Sequence, residues 1–159
     1  HSRTPKELLY LETGTIPIRF TLMSRRLNFL WYLLNQNEDS MLSQFFRAQS
    51  ESPTRGDWVS SVKKDLEDLE LEMTFEQIKA CTKEAFKDIV KKHVKVAALT
   101  MLTKSQQAHS KSSRLKYNEL EMHAYLCSED NFMTNREKKF AFTLRSHMLP
   151  LKGNFKEGK

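Results

Sequence analysis

Glu12 to Leu34 reads ETGTIPIRFTLMSRRLNFLWYLL, and the fold class turns on whether its apolar residues span a membrane or form a helix of a folded domain. The stretch is long enough to cross a bilayer, but Arg19, Arg25 and Arg26 lie within it. Each would cost about 2.5–3.5 kcal/mol at the membrane centre, which excludes a span. Gly14 suits the stop of a short preceding helix, and Pro17 suits the first turn of the apolar one, where its missing N–H costs nothing. Arg19 and Arg26 are seven apart and fall within about 20° on one face. A helix otherwise apolar nearly all round is expected to be mostly buried. Its guanidinium groups then either reach outward on long stems or are paired inside, and outward at one edge, toward a negative partner, is the expectation.

The whole chain fits that reading. Its 159 residues make about one domain, able to bury roughly two thirds of the surface the unfolded chain exposes. Charged residues are 29%, and there are only four each of Gly and Pro, so long elements with few breaks are expected in a soluble, helix-rich protein. Cys81 and Cys127 sit in no CxxC pair and no secretory leader is recognisable. An intracellular location is therefore expected, in nucleus or cytoplasm. The start on His1 and the basic end LKGNFKEGK are read as marks of a piece of a longer protein.

Helix starts are signposted by capping boxes, in which a Thr side chain and a Glu or Gln three residues later satisfy orphan backbone N–H groups. TPKE, TFEQ and TNRE predict N-caps at Thr4, Thr74 and Thr134, and Pro5 suits the first turn after Thr4. Helices are expected at about 5–12, 17–35, 40–49, 58–69, 75–102, 118–127 and 135–148. No stretch alternates as a strand would. The helix at Trp58 is typical: Trp58, Val59, Val62, Leu66 and Leu69 recur at spacings of three and four, with Lys63, Lys64, Asp65, Glu67 and Asp68 on the other face. Turn-rich SESPTRGD precedes it, and the polar, basic TKSQQAHSKSSR is the candidate hinge between two halves.

Charge is distributed unevenly. Residues 35–76 hold 4 basic against 10 acidic side chains, whereas residues 77–117 hold 10 against 2. Within the basic segment Lys79, Lys83, Lys87, Lys91 and Lys95 are each four apart, with Lys92 beside them. On one helix this spacing makes a slowly winding ridge about 24 Å long, since each step advances 40°. Duplex nucleic acid carries a phosphate charge about every 1.7 Å, and lysines bind it as point charges that release counterions. The plainer reading is a solvated face, weakened by the mild cost of like charges at i, i+4. A third is that the acidic run DLEDLELEMTFE docks on the ladder within the molecule.

Other chemistry has little sequence support. His123 and Cys127 would make half a zinc site without a second pair, and are read as surface and core residues respectively. There is no Gly-rich phosphate loop, HExxH or GxSxG. Neither a cofactor, a metal nor a small-molecule substrate is expected. Phe45, Phe46, Phe132, Phe140, Phe142, Tyr117 and Tyr125 could stack on bases, but at helical spacing they are more often core.

The order of the motifs adds a resemblance. HSRTPKELLYLETGTIPIRFTLMSRRLNFLWYLL, then GDWVSSVKKDLEDL, the lysine-rich helix, HSK, YNELEMHAYL and FTLRSHMLPLKGNFK together resemble the region following the palm in reverse transcriptases of non-LTR (LINE-like) retrotransposons. The resemblance covers nearly the whole chain. It implies a helical thumb and the linker after it, with Arg19, Arg25 and Arg26 on a thumb-proximal helix facing nucleic acid or the palm. It also implies that the lysine ladder lies in a linker that binds template RNA or target DNA. The palm motif with paired aspartates is missing from this sequence, so catalysis by this piece is not expected.

The sequence thus predicts an all-α chain of about seven helices in two subdomains: 1–102, a flexible loop at 103–117, and 118–159 with a basic tail. Its expected partners are RNA or DNA and the rest of the parent polymerase, with no membrane. Candidate phosphate contacts are Lys79, Lys83, Lys87, Lys91 and Lys95, then Arg19, Arg25, Arg26 and Arg145. The alternative is a helical module that braces neighbouring domains or a protein partner. A contiguous exposed apolar patch would favour it.

Overall fold

The computed structural model describes residues 5–52, 54, 56–108, 115–127 and 133–145. Seven α-helices lie among them: α1 (Lys6–Thr13), α2 (Ile18–Leu34), α3 (Met41–Glu51), α4 (Trp58–Asp68), α5 (Phe75–Ala80), α6 (Lys83–Gln107) and α7 (Asn135–Arg145). A 3₁₀ turn covers Ala124–Leu126. The fold is all-α, and no helix among the described residues is long and apolar enough to cross a membrane.

The chain divides into two compact units, Pro17–Ala97 and the described residues of 1–16 with 98–159. The division falls after Ile16 and inside α6 rather than at the expected hinge of 103–117. Of that hinge, residues 103–107 belong to α6, and 109–114 lie outside the described residues.

In the Pro17–Ala97 unit, α2 places Phe20, Met23, Leu27, Leu30 and Leu33 in the core. Val59, Val62 and Leu66 of α4 are buried with them, as are Ile78 of α5 and Phe86, Val90 and Val94 of α6. Full burial of each such side chain contributes about 1.5–3 kcal/mol before chain entropy is charged against it. The predicted cap Thr74 forms a complete capping box with Gln77, and Asp57 and Ser40, which no S/T-x-x-E/Q box marks, cap α4 and α3 by accepting from the backbone N–H of Ser60 and Ser43.

The expected helix 75–102 is two helices. Cys81 is extended, with φ −73° and ψ 147°, and Thr82 starts α6 by accepting from the Ala85 N–H at 3.3 Å. Trp31 of α2 fixes the break, because its indole N–H donates to the Cys81 carbonyl at 2.9 Å. Where α4 ends, Glu70 takes φ 51°, and the Leu71 N–H returns to the Leu66 carbonyl at 2.9 Å. That closure normally favours glycine.

In the other unit, Leu8 and Leu11 of α1, Ala98 and Leu102 of α6 and Leu120 form the apolar core. Gly14 stops α1 at φ 65°, as its position suggests. The space beside it is also filled by a neighbouring backbone: an added Cβ would stand 2.5 Å from the Glu121 carbonyl carbon and closer still to the Met122 nitrogen. The expected helix over 118–127 does not form. Thr13 and Met122 make an isolated antiparallel bridge, and the His123 N–H donates to the Glu12 carbonyl at 2.9 Å, so this backbone pairs with α1 instead.

The Thr134 capping box is present, with Thr134 N–H to Glu137 Oε2 at 2.6 Å and Glu137 N–H to Thr134 Oγ1 at 3.3 Å. The proposed cap at Thr4 lies outside the described residues, as do residues 146–148 of the expected last helix and the basic tail. Pro5 occupies the N-cap position of α1 and Pro17 that of α2, each one residue before the helix proper.

Candidate nucleic-acid interface

The lysine row divides at the break between α5 and α6. Lys79 is on α5, so the continuous ridge is Lys83, Lys87, Lys91 and Lys95 on α6, about 18 Å long rather than 24. The core ridge of the same helix, Phe86, Val90 and Val94, is also spaced by four. Lys87, Lys91 and Lys95 each follow one of these residues, so the cationic ridge runs about 100° around the helix from the buried one.

Lys79, Lys83, Lys87, Lys91 and Lys92 are exposed, and Lys95 is half-buried. The five exposed lysines form no ion pair among the described residues, although Glu84 and Asp88 share the helix with four of them. An exposed cation held by no local carboxylate keeps its full charge available to phosphate.

Two carboxylates of the acidic run are engaged elsewhere. Arg19 pairs with Asp68 at 2.8 Å, and Arg26 Nε lies 2.7 Å from Asp65 Oδ2. The second contact is an ion pair without hydrogen-bond alignment, for neither atom has a hydrogen-bond partner, and a 3.5 Å contact from Arg26 Nη2 to Oδ1 supplements it. Burial pushes the Asp65 carboxyl above its ordinary range, and the charge of Arg26 opposes this only in part.

The expectation that all three arginines of α2 reach outward to a foreign partner is therefore corrected. Arg19 and Arg26 turn toward α4, and only Arg25 is exposed with no carboxylate among the described residues. Nor is α2 buried nearly all round: Ile18, Leu22, Phe29 and Tyr32 are exposed.

Arg145 also has an internal partner. Its Nε donates to Glu12 Oε1 at 2.6 Å, and its guanidinium lies 5.8 Å from the Tyr117 ring centre. Glu12 is 1% exposed and accepts further from the hydroxyls of Tyr117 and Tyr125, the latter at 2.7 Å. Desolvation is the largest single influence on this carboxyl and raises it. The bonds from Tyr117, Arg145 and Tyr125 together outweigh it, so its pKa lies below the ordinary value. Burial and the adjacent carboxylate hold both phenols well above the usual tyrosine range.

This cluster ties α1, the 115–127 segment and α7 into one unit, with Glu12 held by Tyr117, Tyr125 and Arg145. Sequence reasoning missed it because Glu12 looked like an ordinary residue of a short helix. An acid in a leucine-rich turn, LLYLE, is the only local hint.

The remaining candidates separate. Cys127 is exposed and His123 is half-buried, with its ring 4.8 Å from that of Tyr125, the reverse of the surface and core assignment. No group of three or more metal-binding side chains occurs among the described residues. Phe46 packs against Trp58 and Phe75, as a core reading expects. Phe45 and Phe140 are exposed instead. Tyr117 and Tyr125 serve Glu12, Phe142 is half-buried, and Phe132 lies outside the described residues.

No family model, no curated protein and no solved structure matches this chain. Its functional reading rests on its own residues and on the order of motifs in its sequence.

Proposed function

We propose that this chain is a non-catalytic helical segment of a non-LTR retrotransposon reverse transcriptase, contacting template–primer or target nucleic acid through phosphates. One observation carries the contact: Lys83, Lys87, Lys91 and Lys92 stand exposed and unpaired along α6, while Asp65 and Asp68 of the acidic run are held by arginines. Lys79 adds to the same charge from α5. Lysines without a fixed fork give charge neutralisation rather than base reading, so the binding is independent of sequence. The retrotransposon origin is supported by the motif order alone.

The test is anisotropy of a labelled RNA–DNA hybrid titrated with the chain at low salt. Changing Lys83, Lys87 and Lys91 to Glu is expected to abolish binding while circular dichroism shows the helices intact. Undiminished binding by that variant would overturn the phosphate reading.

A second reading has its own observation. The exposed apolar residues of α2 form a surface of the kind that braces another protein, and this role is compatible with the first.

A further inference from the structure

The inner face of α2 is occupied by Phe20, Met23, Leu27 and Leu30. A second row, Ile18, Leu22, Arg25, Phe29 and Tyr32, repeats at spacings of four, three, four and three. At 100° per residue this row stays within an arc of about 80° over about 21 Å of axis. Its apolar members are 68%, 51%, 43% and 45% exposed, for Ile18, Leu22, Phe29 and Tyr32 respectively. Alternating four-and-three spacing is the seam of helix-on-helix packing, in which each side chain enters a hole on the facing helix.

One end of the seam is held in place by its neighbours. The Phe29 ring stacks on Tyr32 at 5.8 Å and meets the edge of Trp58 at 5.7 Å, so its aromatic surface is presented in a fixed geometry. Little side-chain freedom is left to lose on docking.

Arg25 stands at the midpoint of the row and determines what can cover it. Arg19 and Arg26 have Asp68 and Asp65, whereas Arg25 has no carboxylate among the described residues. A second copy of the chain is disfavoured, because antiparallel pairing about the midpoint and parallel pairing in register both place Arg25 against Arg25. Two guanidiniums desolvated against each other repel, which acts as a built-in bar to self-pairing. A helix carrying a carboxylate at the facing position turns the same residue into a register pin.

We infer that the exposed row of α2 docks an amphipathic helix from outside this chain, with apolar residues along its seam and one Asp or Glu facing Arg25. This rests on the protein-bracing reading and is independent of the lysine row.

The test uses the full chain and two synthetic 21-residue helical peptides with leucine at the seam positions, one with Glu and one with Lys at the central one. Anisotropy is expected to show the Glu peptide binding at least tenfold more tightly. Arg25→Glu is expected to reverse that preference, and Leu22→Asp to abolish binding of both, with circular dichroism unchanged in each case. The variant with Lys83, Lys87 and Lys91 changed to Glu is expected to bind the Glu peptide as before, which separates this result from the phosphate reading.

Absent binding, equal binding of the two peptides, or a preference that Arg25→Glu leaves alone would overturn the inference. Two other outcomes would also overturn it. One is a sedimentation dimer that Leu22→Asp dissociates, assigning the seam to self-pairing. The other is loss of hybrid binding in Leu22→Asp, assigning the face to nucleic acid.

Discussion

Replacing Glu12 by Gln isolates the charge at the centre of the buried cluster while keeping its shape. Glu12 accepts from Arg145 Nε at 2.6 Å, from the Tyr125 hydroxyl at 2.7 Å and from the Tyr117 hydroxyl. A glutamine keeps Oε1 for Tyr117 and Arg145 and sets an NH₂ where Oε2 was, and the Tyr125 hydroxyl can turn to accept from it. The two tyrosine bonds, to a charge at about 1.5–3 kcal/mol each, become neutral ones at about 0.5–1.5, and the Arg145 bond keeps its charged donor but loses the ion pair. The gross loss is about 3 kcal/mol. It is offset because no carboxylate then has to be desolvated, leaving about 2 kcal/mol of lost stability.

The His123 N–H, bonded to the Glu12 carbonyl at 2.9 Å, is the local reporter. Its hydrogen-exchange protection is expected to fall about 30-fold at pH 7, since 1.4 kcal/mol corresponds to a factor of ten. Tryptophan fluorescence is a poor substitute, because Trp31 and Trp58 both lie in the Pro17–Ala97 unit. A change below about threefold would show that the carboxylate contributes little beyond its shape, and the reasoning would fail.

Other predictions follow from the same geometry. As pH falls, the folded state holds Glu12 ionised to lower pH than the unfolded chain does, so its stabilisation is complete above the ordinary value of 4.5 and fades as pH drops through the lower folded value. Asp65 has the opposite sign: its folded pKa is raised above 3.8, so acid adds stability there, and Asp65→Asn should remove that gain in urea melts taken from pH 6 to pH 3. Gly14→Ala is expected to cost at least about 1–2 kcal/mol from the left-handed backbone alone, and more because the new Cβ meets the Glu121–Met122 backbone. A thermal melt checks it. Glu70→Gly should stabilise by up to about 1 kcal/mol, because Glu70 holds φ 51° at the end of α4, where glycine carries no steric penalty. An unchanged urea midpoint would show that this backbone is not strained.

Much of the helical layout was legible from local chemistry. Thr74 with Gln77, and Thr134 with Glu137, set their helix starts through bonds three residues apart, and the three-and-four spacing of Val59, Val62 and Leu66 fixed the buried face of α4. The break at Cys81–Thr82 was hidden because the apolar phase runs through it: Ile78, Phe86 and Val90 are all buried, and neither Gly nor Pro marks the stop. Thr82 has Ala85 where a capping box would have Glu or Gln.

The site was harder to read because its partners are distant in sequence. Arg19 and Asp68 are separated by 49 residues, Arg26 and Asp65 by 39, and Arg145 and Glu12 by 133. Spacing along one helix shows which residues share a face, not which foreign carboxylate meets them. The segment over 118–127 departs from a helix for the same reason, since its backbone pairs with Glu12 and Thr13 and no local pattern announces that. The α6 lysines were legible as a row because their relation is periodic and local.

The salt dependence of that row tests the account most directly. Four exposed, unpaired lysines on α6 contacting four phosphates give a slope of about −3.6 in log affinity against log salt on duplex DNA, so affinity should fall roughly 150-fold between 50 and 200 mM salt. With Lys83, Lys87 and Lys91 changed to Glu, little binding should remain, and any residual slope should approach that of one contact, about −0.9. A wild-type affinity that stays level across that range, or a full slope retained by the triple variant, would contradict phosphate contact by α6.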